Sequence, residues 1–324
     1  MSEILIIGVS TVDLIGGPLD EYPEPGGLRT FEQLTLAPGG CAVNVALGLA
    51  RLGLKCDLIT RIGADPLGAY LKEELQRHLI SDRGLIVDQT APTPFSFVVV
   101  HRDGQRSFLH CPGANSRLNR EDVPREQLIG RRFVMLSGAM IMERLDGEPC
   151  ASLLRAARRQ GAVTLLDTVF VEGFDTAAWQ ARLLPCLEQI DYFAPSLPEA
   201  RALTGLDEPG RVVDRLLKFG ARNVVLKLDA EGALLATKGG RRAHLPAYPV
   251  EQVVDSTGAG DSFCAGFLAG LATGRPPFEA ARLGNAVAHH CIQARGATAG
   301  VPTLALADAF LERGASGTVP TDVT

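Results

Sequence analysis

The sequence predicts an α/β fold of three layers (α/β/α), in which a mostly parallel central sheet lies between two layers of helices and carries a small β-sheet lid. Three observations predict it. Short apolar runs ending in Gly, Asp or Pro alternate with amphipathic helical patterns along most of the chain, and strand–helix repetition requires crossovers that cover both faces of a parallel sheet. Two stretches rich in turn residues break that alternation, as an inserted lid does. The 324 residues are 46% hydrophobic, enough to bury both faces of a large sheet.

Residues 4–7, 57–60, 133–136, 163–166, 192–194 and 223–228 read as buried strands. Between them, 42–52, 67–78, 149–159, 177–188 and 211–219 read as amphipathic helices, and the last third turns helical over 259–272, 278–294 and 304–313. The first interruption, 11–36, holds Gly16, Gly17, Pro18, Pro23, Pro25, Gly26 and Gly27 between strand-like ends. The second, 95–109, reads as a hairpin around Asp103-Gly104, a strong turn signal. The chain is therefore expected as a single domain over 1–313, with lid strands inserted at about 11–37 and 95–113 and a disordered polar tail over 314–324.

A net charge of −5 with scattered Lys and Arg offers no basic stripe for nucleic acid and no polybasic patch for a membrane, which leaves small molecules as partners. Seven widely spaced cysteines, without C-x-x-C and odd in number, argue against a disulfide framework or a zinc site. The apolar run 4–8 is too short for a membrane span and has no basic flank, so the cytoplasm is the expected location.

The chemistry concentrates in Asp255-Ser256-Thr257-Gly258-Ala259-Gly260-Asp261, entered from the apolar stretch 250–254 and left through a helical pattern. Glycines at a helix start let backbone N–H groups close on an oxyanion, aided by the positive end of the helix dipole. Asp261 follows at once, placed to take the proton of a hydroxyl held beside a bound phosphate. The plainer reading is an acidic first turn after a Gly N-cap. A second glycine-rich turn, Pro38-Gly39-Gly40-Cys41-Ala42-Val43-Asn44, opens the helix at 42–52. There Asn44 offers a donor and an acceptor to a hydroxyl, unless the segment is only a tight strand-to-helix turn.

The Asp255 to Asp261 run resembles the second signature of the ribokinase-like (PfkB) family of sugar and nucleoside kinases, and Gly39-Gly40 to Asn44 resembles the first. Gly8-Val9-Ser10-Thr11-Val12-Asp13 is similar to the family's N-terminal strand exit. The resemblance implies a ribokinase-like fold with a lid, and a catalytic site in which Asp261 is the base and the Gly258, Ala259 and Gly260 amides form the anion hole. It places Asp13, Gly39, Gly40, Asn44 and Asn115 on the sugar. It places Ser196, Lys227, Gly232 and Asn285 near the nucleotide, Glu199 near magnesium through water, and Asp255 on a monovalent cation, K⁺. Ser196-x-x-Glu199 also spells a capping box, and Asp65-Pro66 an N-cap with proline at the first helical position. Lys227 pairs with phosphate or is a solvated strand end; Asp167 ends an apolar strand at the cleft; His110 follows the hairpin back towards it. The chain departs from the pattern at Ser196 for Asn, Asp229 for Gly and Gly300 for Ser. It also has Cys41 and Gly138 where ribokinase has sugar-contacting Lys and Glu, which counts against ribose.

These readings predict a kinase using ATP and Mg²⁺ to phosphorylate a hydroxyl, a primary alcohol, of a small carbohydrate. The alternatives are a nucleoside kinase of the same family, against which the 6% aromatic content leans, and a silent sugar- or nucleotide-binding relative. Arg106 either points inward to a carboxylate or phosphate on the sugar or faces solvent, and solvent is the expectation; the lid is expected to offer an edge for a homodimer.

Overall fold

The computed structural model describes residues 2–102, 106–169, 173, 175–314 and 321–322. In chain order its elements are β1 (Ile4–Gly8), β2 (Thr11–Gly17), β3 (Gln33–Gly39), α1 (Cys41–Arg51), β4 (Cys56–Gly63), α2 (Pro66–Arg77), β5 (Leu85–Asp88), β6 (Phe95–Val100) and β7 (Arg106–Cys111). Then come β8 (Phe133–Ala139), α3 (Glu148–Arg159), β9 (Val163–Thr168), α4 (Thr176–Leu187), β10 (Tyr192–Phe193), α5 (Leu197–Thr204) and α6 (Pro209–Lys218). The last are β11 (Asn223–Lys227), β12 (Ala233–Thr237), β13 (Arg242–Leu245), α7 (Ala259–Ala272), α8 (Pro277–Cys291), α9 (Leu304–Gly314) and β14 (Thr321–Asp322).

The main sheet runs β14-β13-β12-β11-β10-β9-β8-β1-β4-β5, parallel from β11 to β5 and antiparallel from β11 to β14. Both faces are buried, and β1 shows why its sequence is apolar without alternation. Ile4 and Ile6 enter the core beneath α1, α7 and α8, whereas Leu5 and Ile7 enter the core beneath α3, α4 and α6. Helices α7 and α8 approach closely because small residues line their contact: a methyl on Gly266 would lie 2.9 Å from the Gly284 Cα.

The two interruptions form a separate sheet ordered β3-β2-β6-β7, with β2 and β6 parallel and the outer pairs antiparallel. The hairpin turn expected at 103–105 lies outside the described residues. In the apolar stretch before Asp255, Val253 and Val254 are exposed, and the Val254 and Asp255 amides donate to the Ile292 carbonyl oxygen. One expectation changes. Within the tail expected to be disordered, Gly314 closes α9 and Thr321–Asp322 pairs antiparallel with β13; the remaining tail residues lie outside the described set. No described helix is long and apolar enough to cross a membrane.

Candidate active site

The first turn of α7 begins at Gly258, which sits in the left-handed region at φ 74°. A methyl there would lie 2.3 Å from the Ala297 carbonyl oxygen, so only glycine lets the loop before α7 touch the loop after α8. No side chain caps α7, which leaves N–H groups of its first turn open to an anion at the positive end of the dipole. Ala259 departs from expectation: its N–H turns onto the Ser256 carbonyl oxygen at 3.2 Å, so the hole falls to the amides on either side.

Asp261 lies in that turn, and Asn44 Nδ2 donates to its Oδ2 at 2.7 Å. Burial and, after it, neighbouring Asp167 push the Asp261 carboxyl up to about 7, while Asn44, Lys227 and Cys41 pull against the shift. Asn44 is 6% exposed and its Oδ1 has no hydrogen-bond partner among the described residues. A buried acceptor left open beside a carboxylate is an unusual arrangement in a folded protein, and it suits a ligand hydroxyl. Cys41, at the start of α1, brings its Sγ within 4.8 Å of the Asp167 and Asp261 carboxylates. Burial, then those two charges, hold its thiol well above the usual range and therefore protonated.

Behind Asp261, the end of β11 supplies Lys227, whose Nζ donates to Asp167 Oδ1 at 2.8 Å from the end of the neighbouring β9. The pair is largely enclosed, with side-chain exposures of 13% and 2%. Burial works against the Lys227 charge, but Asp167, Cys264 and Glu199 raise its affinity for the proton well above the usual value. Lys227 is thus no solvated strand end, and a methyl on Gly260 would sit 3.3 Å from its Nζ. Glu199 is held by the Ser196 N–H at 2.7 Å and the Thr168 hydroxyl at 3.1 Å. The capping box is present, and Ser196 also bridges Lys227 in parallel register, so Ser196 acts here as an N-cap and a strand neighbour.

On the lid side, Asp13 of β2 accepts from the Thr11 hydroxyl at 3.0 Å, and burial raises its carboxyl. Gly39 is required by this approach, since a methyl there would lie 2.3 Å from Asp13 Oδ2. Asn115 is a correction: fully buried, it accepts from the Ser10 N–H at 3.2 Å and donates to the Ser10 carbonyl oxygen at 2.8 Å. It straps the chain between β1 and β2. Asn285 is a second correction, its amide hydrogens bonded to the Leu245 and Pro246 carbonyl oxygens at 2.9 and 3.1 Å. Gly232, at φ 93°, serves close backbone contact with Leu245 and Ala247.

Asp255, the expected cation ligand, instead accepts from the Thr257 N–H at 2.8 Å, the Gly296 N–H at 2.7 Å and Arg106 Nη2 at 2.7 Å. Arg106 faces inward, against expectation, and also donates to the Thr257 hydroxyl. No signal in β7 marked it, because its partner Asp255 is distant in the sequence. Thr168 had no signal beyond its place after Asp167.

The site lies at the carboxyl ends of β1, β9 and β11, where sheets of this kind take ligands. Residues 1–304 match the family model described as pfkB family carbohydrate kinase. The chain is 29% identical over 301 residues to a 2-dehydro-3-deoxygluconokinase of Bacillus subtilis, covering 89% of this chain and 90% of that one. It is 32% identical over 261 residues to fructokinase-1 of Oryza sativa, with coverage of 77% and 79%. Among solved structures, a ribokinase from Thermotoga maritima superposes with a TM-score of 0.81 at 27% identity, over 96% of this chain and 100% of that one. A uncapped helix start beside a poised carboxylate is therefore found in a chain that matches kinases over nearly its whole described length, and this protein belongs to the pfkB family of carbohydrate kinases, phosphotransferases that use an alcohol as acceptor.

Proposed function

We propose that this kinase transfers the γ-phosphoryl group of ATP to a primary hydroxyl of a small carbohydrate, with Asp261 as general base. The observation that carries the proposal is the pair formed by Asp261, whose carboxyl is pushed up to about 7, and Asn44, whose buried Oδ1 is open beside it. A base works best with a pKa near the working pH, and the Asn44 amide, whose Nδ2 lies 2.7 Å from that base, can orient the attacking hydroxyl through its open Oδ1.

The residues present fit a magnesium–nucleotide: uncapped amides at the α7 start for the transferring phosphoryl, Lys227 for a phosphate oxygen, and Glu199 for magnesium-bound water. Bound there, magnesium-ATP supplies the phosphoryl group and offsets its charge. The rest belongs to the chain. Asp13 accepts from sugar hydroxyls, Asn44 orients the reacting one, and Asp261 takes its proton. The Gly258 and Gly260 amides stabilise charge where it grows, and Asp167 keeps Lys227 charged and fixed. The lid sheet over Asp13 excludes water.

An assay of ADP release over pentoses, hexoses, sugar acids and nucleosides tests this reading. Sugar-dependent release is expected. A nucleoside preferred over every sugar would replace the acceptor class, and no release with any acceptor by protein that still binds nucleotide would overturn the proposal. The same reading pairs two copies through the lid, whose Leu34, Leu36 and Phe108 are exposed, and sedimentation as monomer only at micromolar concentration would remove that part. It also places the chain in the cytoplasm, which its seven free thiols fit.

A further inference from the structure

Arg106 opens the lid strand β7 yet ends on the loop that forms the anion hole. Its Nη2 lies 2.7 Å from Asp255 Oδ2, and its other terminal nitrogen donates to the Thr257 hydroxyl. We infer that Arg106 is a positioning residue, the built-in counter-ion of the anion-hole loop, and that it stands where a monovalent cation was expected. Turnover then depends on the lid arginine and not on K⁺. The inference rests on the kinase reading above.

Three observations carry it. The first is the donor set around Asp255. One carboxylate oxygen accepts from the Thr257 N–H, and the other from both the Gly296 N–H and the guanidinium. A hard cation needs a shell of oxygens, whereas the groups that converge on this carboxylate are hydrogen-bond donors, N–H groups with the Thr257 hydroxyl beside them. The second is Gly300, where the family pattern has a serine. It supplies none, and a methyl there would lie 2.4 Å from the His290 carbonyl oxygen, so the loop is packed where a serine would have stood. The third is enclosure. The side chains of Arg106 and Asp255 are 20% and 2% exposed, so withdrawing the arginine leaves a buried carboxylate without its charge partner.

The pair has a mechanical consequence. Asp255 ties the loop before α7 to Gly296 of the loop after α8, and these are the two loops that Gly258 brings into contact. Arg106 and Asp255 also form one wall of a cavity of about 510 Å³ beneath Gly17, Gln33 and Thr35 of the lid. Seating the lid and fixing the anion hole are therefore one event, linked through a single guanidinium. A guanidinium holds such a site better than an ammonium because its planar fork reaches the Asp255 carboxylate and the Thr257 hydroxyl together.

The experiment compares wild-type protein, Arg106→Gln and Arg106→Lys in potassium chloride and in tetramethylammonium chloride at equal ionic strength, with sugar affinity measured separately by calorimetry. Wild-type kcat and KM are expected to differ by less than ~2-fold between the salts. In Arg106→Gln the ratio of turnover in potassium to that in tetramethylammonium is expected to rise to at least ~5, the low end of coupling between sites. Sugar affinity should stay within ~3-fold, because the arginine acts on the phosphate side, and Arg106→Lys should fall between the two. Potassium activation of the wild type by ~5-fold or more, or an Arg106→Gln ratio that stays near one, overturns the inference. Wild-type protein inactive in both salts would instead refute the kinase reading beneath it. If Arg106→Gln does not fold, the Arg106→Lys ratio and the wild-type comparison decide the matter.

Discussion

Replacing Asp261 by Asn should make the protein nearly inactive and more stable, and the gain should depend on pH. Burial raises this carboxyl from the ordinary 3.8 to about 7, so the folded protein binds the proton more tightly than the unfolded chain does. A raised carboxyl contributes its stability in full below the unfolded value, near pH 4, and loses it as pH climbs to the folded value, near 7. Above pH 7 the ionised, enclosed Asp261 therefore costs at most about 4 kcal/mol, at about 1.36 kcal/mol per pH unit. Asn cannot ionise, and its amide oxygen can still accept from Asn44 Nδ2. With about 2.1 cal/mol/K of unfolding entropy per residue, a chain of this length gains up to about 6 °C in Tm at pH 8. The gain should vanish near pH 4. Calorimetry of both proteins from pH 4 to 8 reads it, while steady-state kinetics should show kcat lower by at least ~10². In the wild type, activity should be lost as pH falls through about 7, because the base works as a carboxylate. A variant less stable at pH 8, or a stability difference that ignores pH, would refute the argument about burial; wild-type turnover would end the assignment of the base.

Asp167→Asn should destabilise the fold by about 3–5 kcal/mol, since it strands the enclosed Lys227 charge, and a urea titration that finds no change would show that Lys227 is solvated after all. Gly258→Ala should lose most turnover while still binding sugar, because a methyl 2.3 Å from the Ala297 carbonyl oxygen forces apart the two loops that shape the anion hole. Calorimetry on the sugar alone, beside the rate, separates that result from general misfolding. Lost sugar binding in a folded variant would count against it.

The strands and helices that face two apolar layers were legible because burial on both sides leaves an unbroken apolar signature, as in β1 and β8. The glycine runs at Gly39 and Gly258 were legible for a different reason: each marks a place where backbone meets a carboxylate or a carbonyl oxygen too closely for a side chain. Asn115 and Asn285 show the limit. An amide side chain has the same hydrogen-bonding groups as a sugar or a backbone, and only the fold decides that Ser10 and Leu245 take them first. The stretch 250–254 is apolar, yet Val253 and Val254 are exposed and its amide partner is the end of α8 rather than a sheet edge. Arg106 was read as solvent-facing for want of its partner, which lies 149 residues along the chain and becomes a neighbour only when the lid sheet forms.

The same geometry explains why, of Asp167, Asp255 and Asp261, one carboxylate is free to act as a base and two are not. Asp167 has Lys227 at 2.8 Å and Asp255 has Arg106 at 2.7 Å, so each carries a fixed opposite charge. Among the described residues Asp261 has only neutral Asn44 and the Cys41 thiol at hydrogen-bonding range, with Lys227 acting on it from behind Asp167. Were Lys227 drawn fully onto Asp261, its proton affinity would fall into the ordinary carboxylate range and it would accept a hydroxyl proton poorly. Asp167 prevents that by holding the ammonium to itself, and its own charge lifts Asp261 further. The pairing of Asp167 with Lys227 thus does two jobs: it keeps a cation beside the phosphate side of the cleft, and it leaves Asp261 basic enough to receive a proton.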